Sequence, residues 1–166
     1  MIDRSPTTNN GELRIRAFVA AMARDPSADP MFAAAAARTP SLPAAQMMWA
    51  EASVRTGRFA EAEPHARKAL ALGPNSADAA FWLGEALIGQ GKARNAAEAF
   101  RDAARTEPQW GRLQLALAGA LWQSGERGTA IEALRAASNM ALNTEDKARL
   151  MRMVNNANRQ ILESRK

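Results

Sequence analysis

The chain has 166 residues, 47% of them hydrophobic, and a net charge of +5. That length supports one domain with a real core. The absence of cysteine excludes a disulfide framework, a thiolate nucleophile and any cysteine metal site. The charges are spread along the chain rather than gathered in a block, which suits solvation better than a polyanion-binding patch.

Positions 1–10 are polar, with Asp3, Ser5, Pro6, Thr7, Thr8, Asn9 and Asn10, and read as a disordered tail that lacks the features of a secretory signal. From Glu12 to Arg24, Leu13, Ile15, Phe18, Val19 and Met22 recur at helical spacing and predict an amphipathic helix. The run Asp25 to Pro30 breaks it. Asp29 is expected to cap a second helix with Pro30 at its first position, running to about Arg38 before Pro40 and Pro43 stop it.

Beyond that point the sequence repeats itself. Ala80, Leu83, Gly84, Leu87, Gly91, Ala96, Phe100, Ala103 and Pro108 form one pattern. A shift of 34 backwards brings Gly91 onto Gly57, Ala96 onto Ala62, Ala103 onto Ala69 and Pro108 onto Pro74. The opposite shift reaches Gly125, Ala130 and Ala137, while Gly84 corresponds to Ala50 and Ala118. Small residues and a glycine returning in register mark a solenoid of stacked units. Each unit predicts a helix A, a turn at the glycine, where positive φ is easiest, and a helix B. The units span 43–76, 77–110 and 111–144. Upstream, 11–42 keeps Phe32, Ala35 and Pro40 in phase but carries Arg16 at a small-residue position and Ala23 in place of the turn glycine, so it reads as a degenerate first pair. From Thr144, an expected N-cap, Leu150, Met151, Val154, Ala157, Ile161 and Leu162 share one face, and 145–166 reads as a solvating capping helix.

This pattern resembles the tetratricopeptide repeat family, whose unit is a 34-residue pair of helices. The resemblance implies an all-α, right-handed α-α superhelix, with helices A lining a concave groove that binds a protein or peptide. Transferred position by position, the groove residues are Met47, Met48, Glu51, Val54 and Arg55, then Phe81, Trp82, Glu85 and Ile88, then Arg112, Leu115, Trp122 and Gln123. Some members clamp a terminal carboxylate with lysine, asparagine and arginine. The corresponding positions here hold Met47, Glu51, Trp82, Arg112 and Ala116, so only an arginine remains and that subclass is rejected. The set favours an apolar or amphipathic guest, with Glu51 and Glu85 available to a basic residue in it.

Catalysis finds no support. His65 is the only histidine and reads as a surface residue, Glu61 and Glu63 point apart on their helix, and the glycines recur singly instead of forming a phosphate-cradling loop. A non-catalytic interaction module, without cofactor or metal, is therefore expected. Its alternative is a homo-oligomerising scaffold using the apolar cap face. No polar base-reading code recurs, which argues against nucleic acid. No window supplies the roughly 18 apolar residues of a membrane span, and a cytoplasmic location is the default expectation.

Overall fold

The computed structural model describes residues 9–163, which form an all-helical solenoid. In chain order the helices are α1 (Asn10–Met22), α2 (Ala28–Arg38), α3 (Ala44–Arg55), α4 (Phe59–Leu72), α5 (Ala77–Gly89), α6 (Ala93–Thr106), α7 (Gly111–Ser124), α8 (Arg127–Ser138) and α9 (Thr144–Glu163). Most of the expected tail, positions 1–8, lies outside the described residues. Its last two positions, Asn9 and Asn10, belong to the first helix: Asn9 is the N-cap, and its Oδ1 accepts from the Glu12 N–H at 2.8 Å.

Helices α1, α3, α5 and α7 each hand over to the next helix through the same turn. The N–H groups of Asp25, Arg58, Lys92 and Glu126 donate to the carbonyls of Ala20, Ser53, Leu87 and Leu121 at 2.8–2.9 Å. The residue before each donor is left-handed: Arg24 at φ 57°, Gly57 at 79°, Gly91 at 74° and Gly125 at 91°. This is a Schellman closure, which needs one residue at positive φ. In the first pair that residue is Arg24, not the Ala23 expected from a strict period, because the turn there lies 33 residues before the next one. A side chain with a Cβ at such a position costs about 1 kcal/mol relative to glycine. Arg24→Gly is therefore expected to raise the urea midpoint of unfolding; an unchanged or lower midpoint would mean that the Arg24 side chain compensates for its backbone.

Two apolar clusters fill the interior. The larger runs from Ala50 to Ala137 and holds Phe81, Leu83, Leu87, Phe100, Leu113, Leu117, Leu121 and Leu134. The smaller joins α1 and α2 to α3 through Ala17, Ala21, Ala28, Phe32 and Ala52, with Phe18, Met31, Met48 and Trp49 packed against it. Alanine supplies the crossings because helix axes packed at about 8–10 Å leave no room for longer side chains. Polar contacts tie the units as well. Glu63 of α4 accepts from Gln90 and Lys92 in the next unit and from Arg67 on its own helix, and these bonds hold its carboxyl down at about 2.

Asp29 departs from its expected capping role. Ser27 is the N-cap residue of α2, and it makes no side-chain cap. The Asp29 carboxylate instead accepts from Trp49 Nε1 at 2.9 Å and from Arg58 at 2.8 Å. At α9 the capping side chain is Asn143, whose Oδ1 accepts from the Asp146 N–H at 2.8 Å; Thr144 opens the helix itself. Among the described residues no helix is long and apolar enough to cross a membrane.

Candidate functional site

The odd-numbered helices form one layer, in which α1 packs on α3, α3 on α5, α5 on α7 and α7 on α9. Among the described residues the even-numbered helices α2, α4, α6 and α8 do not pack on one another. A stack whose units touch more closely in one layer curves toward that layer. The odd-numbered helices therefore line the inner wall, and the candidate site lies on it.

The wall mixes half-buried and exposed side chains. Met47, Met48, Glu51, Val54, Glu85, Ile88, Arg112 and Trp122 are half-buried, whereas Arg55 and Gln123 are exposed. Three expected groove residues are closed off: Phe81 and Leu115 have no accessible surface and Trp82 keeps 8%. For Phe81 the reason is an aromatic cluster beneath the wall, with Trp110 at 4.8 Å, Trp82 at 5.1 Å and Phe100 at 5.7 Å between ring centroids. Leu115 belongs to the larger core cluster. Trp82 is covered by guanidinium groups from both neighbouring units, Arg55 at 5.4 Å and Arg112 at 5.9 Å from the ring centroid.

The two acids differ in state. Glu51 accepts from Arg55 at 2.8 Å, one turn along α3, so it is already paired instead of waiting for a basic residue. Glu85 has no hydrogen bond or ion pair among the described residues. Burial pushes its carboxyl above the ordinary 4.5, and the charges of Arg149 and Arg112 only partly oppose that. The fold thus favours the protonated acid. No penalty exists below about pH 4.5, and one grows as pH rises through the elevated value. Glu85→Gln is expected to raise the unfolding midpoint at pH 7 and to leave it close to wild type at pH 4. Equal gains at both pH values would show that the charge plays no part.

Two features lie beyond the sequence reading. Helix α9 extends the wall as well as capping the stack: Arg149 and Met153 join Gly119, Trp122 and Gln123 around a cleft of about 270 Å³. Arg127 lies 4.1 Å above the Trp122 ring. The signal was present, since Thr144 follows Gly111 by nearly one repeat. On the other side, α2, α3 and α4 enclose a cleft of about 530 Å³ lined by Ala33, Ala36, Trp49, His65 and Leu72. His65 is not the surface residue expected. It is half-buried, stacked on Trp49 at 3.8 Å, with Nδ1 at 2.8 Å from Gln46 Oε1. Burial lowers the pKa of His65, against the pull of Asp29. Among the described residues no three acidic or histidine side chains gather as a metal site.

A two-layer stack of helix pairs, with the odd-numbered helices in one layer, defines this chain as an α-solenoid. The chain belongs to the tetratricopeptide repeat family, whose model matches residues 21–77, 47–109 and 83–141, more than half of its length. These are protein-interaction repeats, which supports an adaptor or scaffold as the class of function. Among solved structures it is similar to MamA, with a TM-score of 0.70 and 19% identity over 82% of this chain and 80% of that one. A MamA RS-1 double mutant gives 0.71 and 19% over 82% and 77%. Yeast Tom70 gives 0.79 and 17%, over 94% of this chain but 34% of Tom70. At such identities the likeness concerns the fold alone. A comparison with curated protein sequences gives no match.

Proposed function

We propose that the chain holds an apolar or amphipathic segment of another protein against the wall formed by α3, α5 and α7. The observation that carries this reading is that Met47, Met48, Val54, Ile88 and Trp122, all on odd-numbered helices, keep part of their surface accessible. Unbranched thioether side chains repack around guests of differing shape at little cost. Phe81 and Leu115 act from beneath by fixing the helices, and Gln123 contributes a polar rim.

The test is a selection of displayed random 12-residue peptides on the full chain. Selected peptides are expected to bind Met48→Ala/Ile88→Ala about 10-fold more weakly, a loss of about 1.4 kcal/mol. They should bind Glu98→Ala, altered on the exposed side of α6, as they bind wild type. Peptides indifferent to the first variant, with its unfolding midpoint intact, would refute the groove.

Self-association is the second reading. It is favoured by large apolar side chains left open at the two ends of the stack: Ile15 at 61% and Val19 at 62% exposure on α1, and Met151 at 67% on α9. Sedimentation equilibrium with Val19→Glu separates the two readings. A monomeric wild type excludes this one.

A further inference from the structure

Resting on the groove reading, we infer that the guest carries an internal acidic residue whose side-chain carboxylate docks on Arg112. Arg112 reaches inward from α7 and lies 5.1 Å from the Phe81 centroid and 5.9 Å from that of Trp82. The two rings stand at 78° to each other, so the guanidinium lies flat on one of them at most, and neither ring offers it an oxygen acceptor. Its N–H donors point outward in the plane, in the fork that matches a carboxylate. Among the described residues none of those donors has an acceptor and Arg112 has no ion pair.

The acids already on the wall do not fill that role. Glu51 is bound to Arg55. Glu85 makes no bond to Arg112 even though the two lie close enough to interact electrostatically. Arg149 adds a further positive charge from α9 on the same side, and it too lacks an ion pair among the described residues. Arg112 and Arg149 outnumber the unpaired Glu85 beside them, so the unpaired charge on this part of the wall is net cationic. A half-buried fork backed by two aromatic rings is held in place before the guest arrives, so little conformational entropy is lost when it is bridged.

The position along the wall decides which carboxylate fits. Apolar side chains lie on the helices to either side of α7, Met47 and Met48 on α3 and Met153 on α9, and Trp122 stands further along α7 itself. A chain crossing Arg112 thus meets apolar contacts before and after it. That places the acid within the segment, flanked by apolar residues, and not at a free C-terminus. It also reverses the charge that the sequence assigned to the guest, because Glu51 is paired with Arg55 and Glu85 is outnumbered by Arg112 and Arg149.

The peptides selected above supply the probe, each synthesised in three forms: unchanged, with every Asp and Glu replaced by Asn and Gln, and with the C-terminus amidated. On the wild-type chain the side-chain replacement is expected to weaken binding by about 10-fold or more and amidation by less than about 2-fold. On Arg112→Gln the side-chain replacement should lose most of its effect, since the two changes remove one interaction. Arg112→Lys keeps the charge without the fork or the stacking, and should restore only part of the affinity. If the unfolding midpoint of Arg112→Gln is lowered, the lysine variant and the peptide forms carry the comparison. Peptides that respond to Met48→Ala/Ile88→Ala but tolerate loss of their acids overturn the carboxylate alone. So do peptides that depend on a free C-terminus. Indifference to the methionine and isoleucine changes defeats the groove itself.

Discussion

Gly84→Ala is expected to destabilise the protein by about 2–3 kcal/mol, although helix propensity alone predicts a gain of about 1 kcal/mol. A Cβ built on Gly84 would stand 2.4 Å from Phe100 Cε1 and 2.6 Å from both Cδ1 and Cζ. Real carbon atoms do not approach so closely, and the ring has nowhere to go: Phe100 is fully buried and meets Phe81 at 5.7 Å. The two adjacent repeats show the same crossing solved differently. Ala50 and Ala118 occupy the position of Gly84, and Ala66 and Leu134 occupy that of Phe100, so a Cβ on helix A goes with a smaller side chain on helix B. The compensating pair Gly84→Ala/Phe100→Leu should accordingly recover part of the loss in a urea denaturation series. A stabilising Gly84→Ala would show that α5 and α6 can move apart, and that the crossing is not set by this contact.

That complementarity explains why the architecture could be read from the sequence and the site only partly. Glycine at 57, 91 and 125 and alanine at the crossings are dictated by backbone geometry, which leaves its mark at fixed spacing. The depth of a side chain is not dictated that way. Repeat position says that Phe81 and Trp82 start from helix A, but the free space beside Trp110 and Phe100 draws Phe81 inward. Trp82 is closed by arginines more than 25 residues away on either side, a relation no local window contains. Asp29 followed by Pro30 has the composition of a helix start. Two donors from other helices, the Trp49 indole and the Arg58 guanidinium, nevertheless take its carboxylate and leave Ser27 at the N-cap. Where tertiary partners compete with local preference, the charged hydrogen bonds prevail. His65 is drawn below the surface in the same way, since its stacking partner Trp49 and its hydrogen-bond partner Gln46 both lie on α3.

The same contacts make Trp49 the residue on which the first helix pair depends. Its indole lies between Phe32 of α2, at 5.7 Å, and His65 of α4, at 3.8 Å, with both rings nearly parallel to it. Its N–H donates to Asp29, whose carboxyl is held below its ordinary value because Arg58 and Trp49 outweigh the opposing effect of burial. Trp49→Ala removes both stacking contacts and the hydrogen bond, and opens the floor of the cleft between α2 and α4. The expected cost is about 3–5 kcal/mol. It should not fall evenly along the chain. In a solenoid each unit is supported by its neighbours, and among the described residues α1 and α2, which hold most of the cluster of Ala17, Phe32 and Ala52, pack on no other helix than α3. Hydrogen exchange is therefore expected to show α1 and α2 losing protection first and by the larger factor, while α5 to α8, which hold most of the larger cluster, stay protected. Trp49→Phe keeps a ring in the stack but deletes the donor, and should cost only about 1 kcal/mol, because the Asp29 carboxylate, 42% accessible, keeps Arg58 and can take water in place of the indole. If Trp49→Ala lowered protection equally in every helix, the first pair would be folding as one unit with the others, and the division of the core into two clusters would have no energetic meaning.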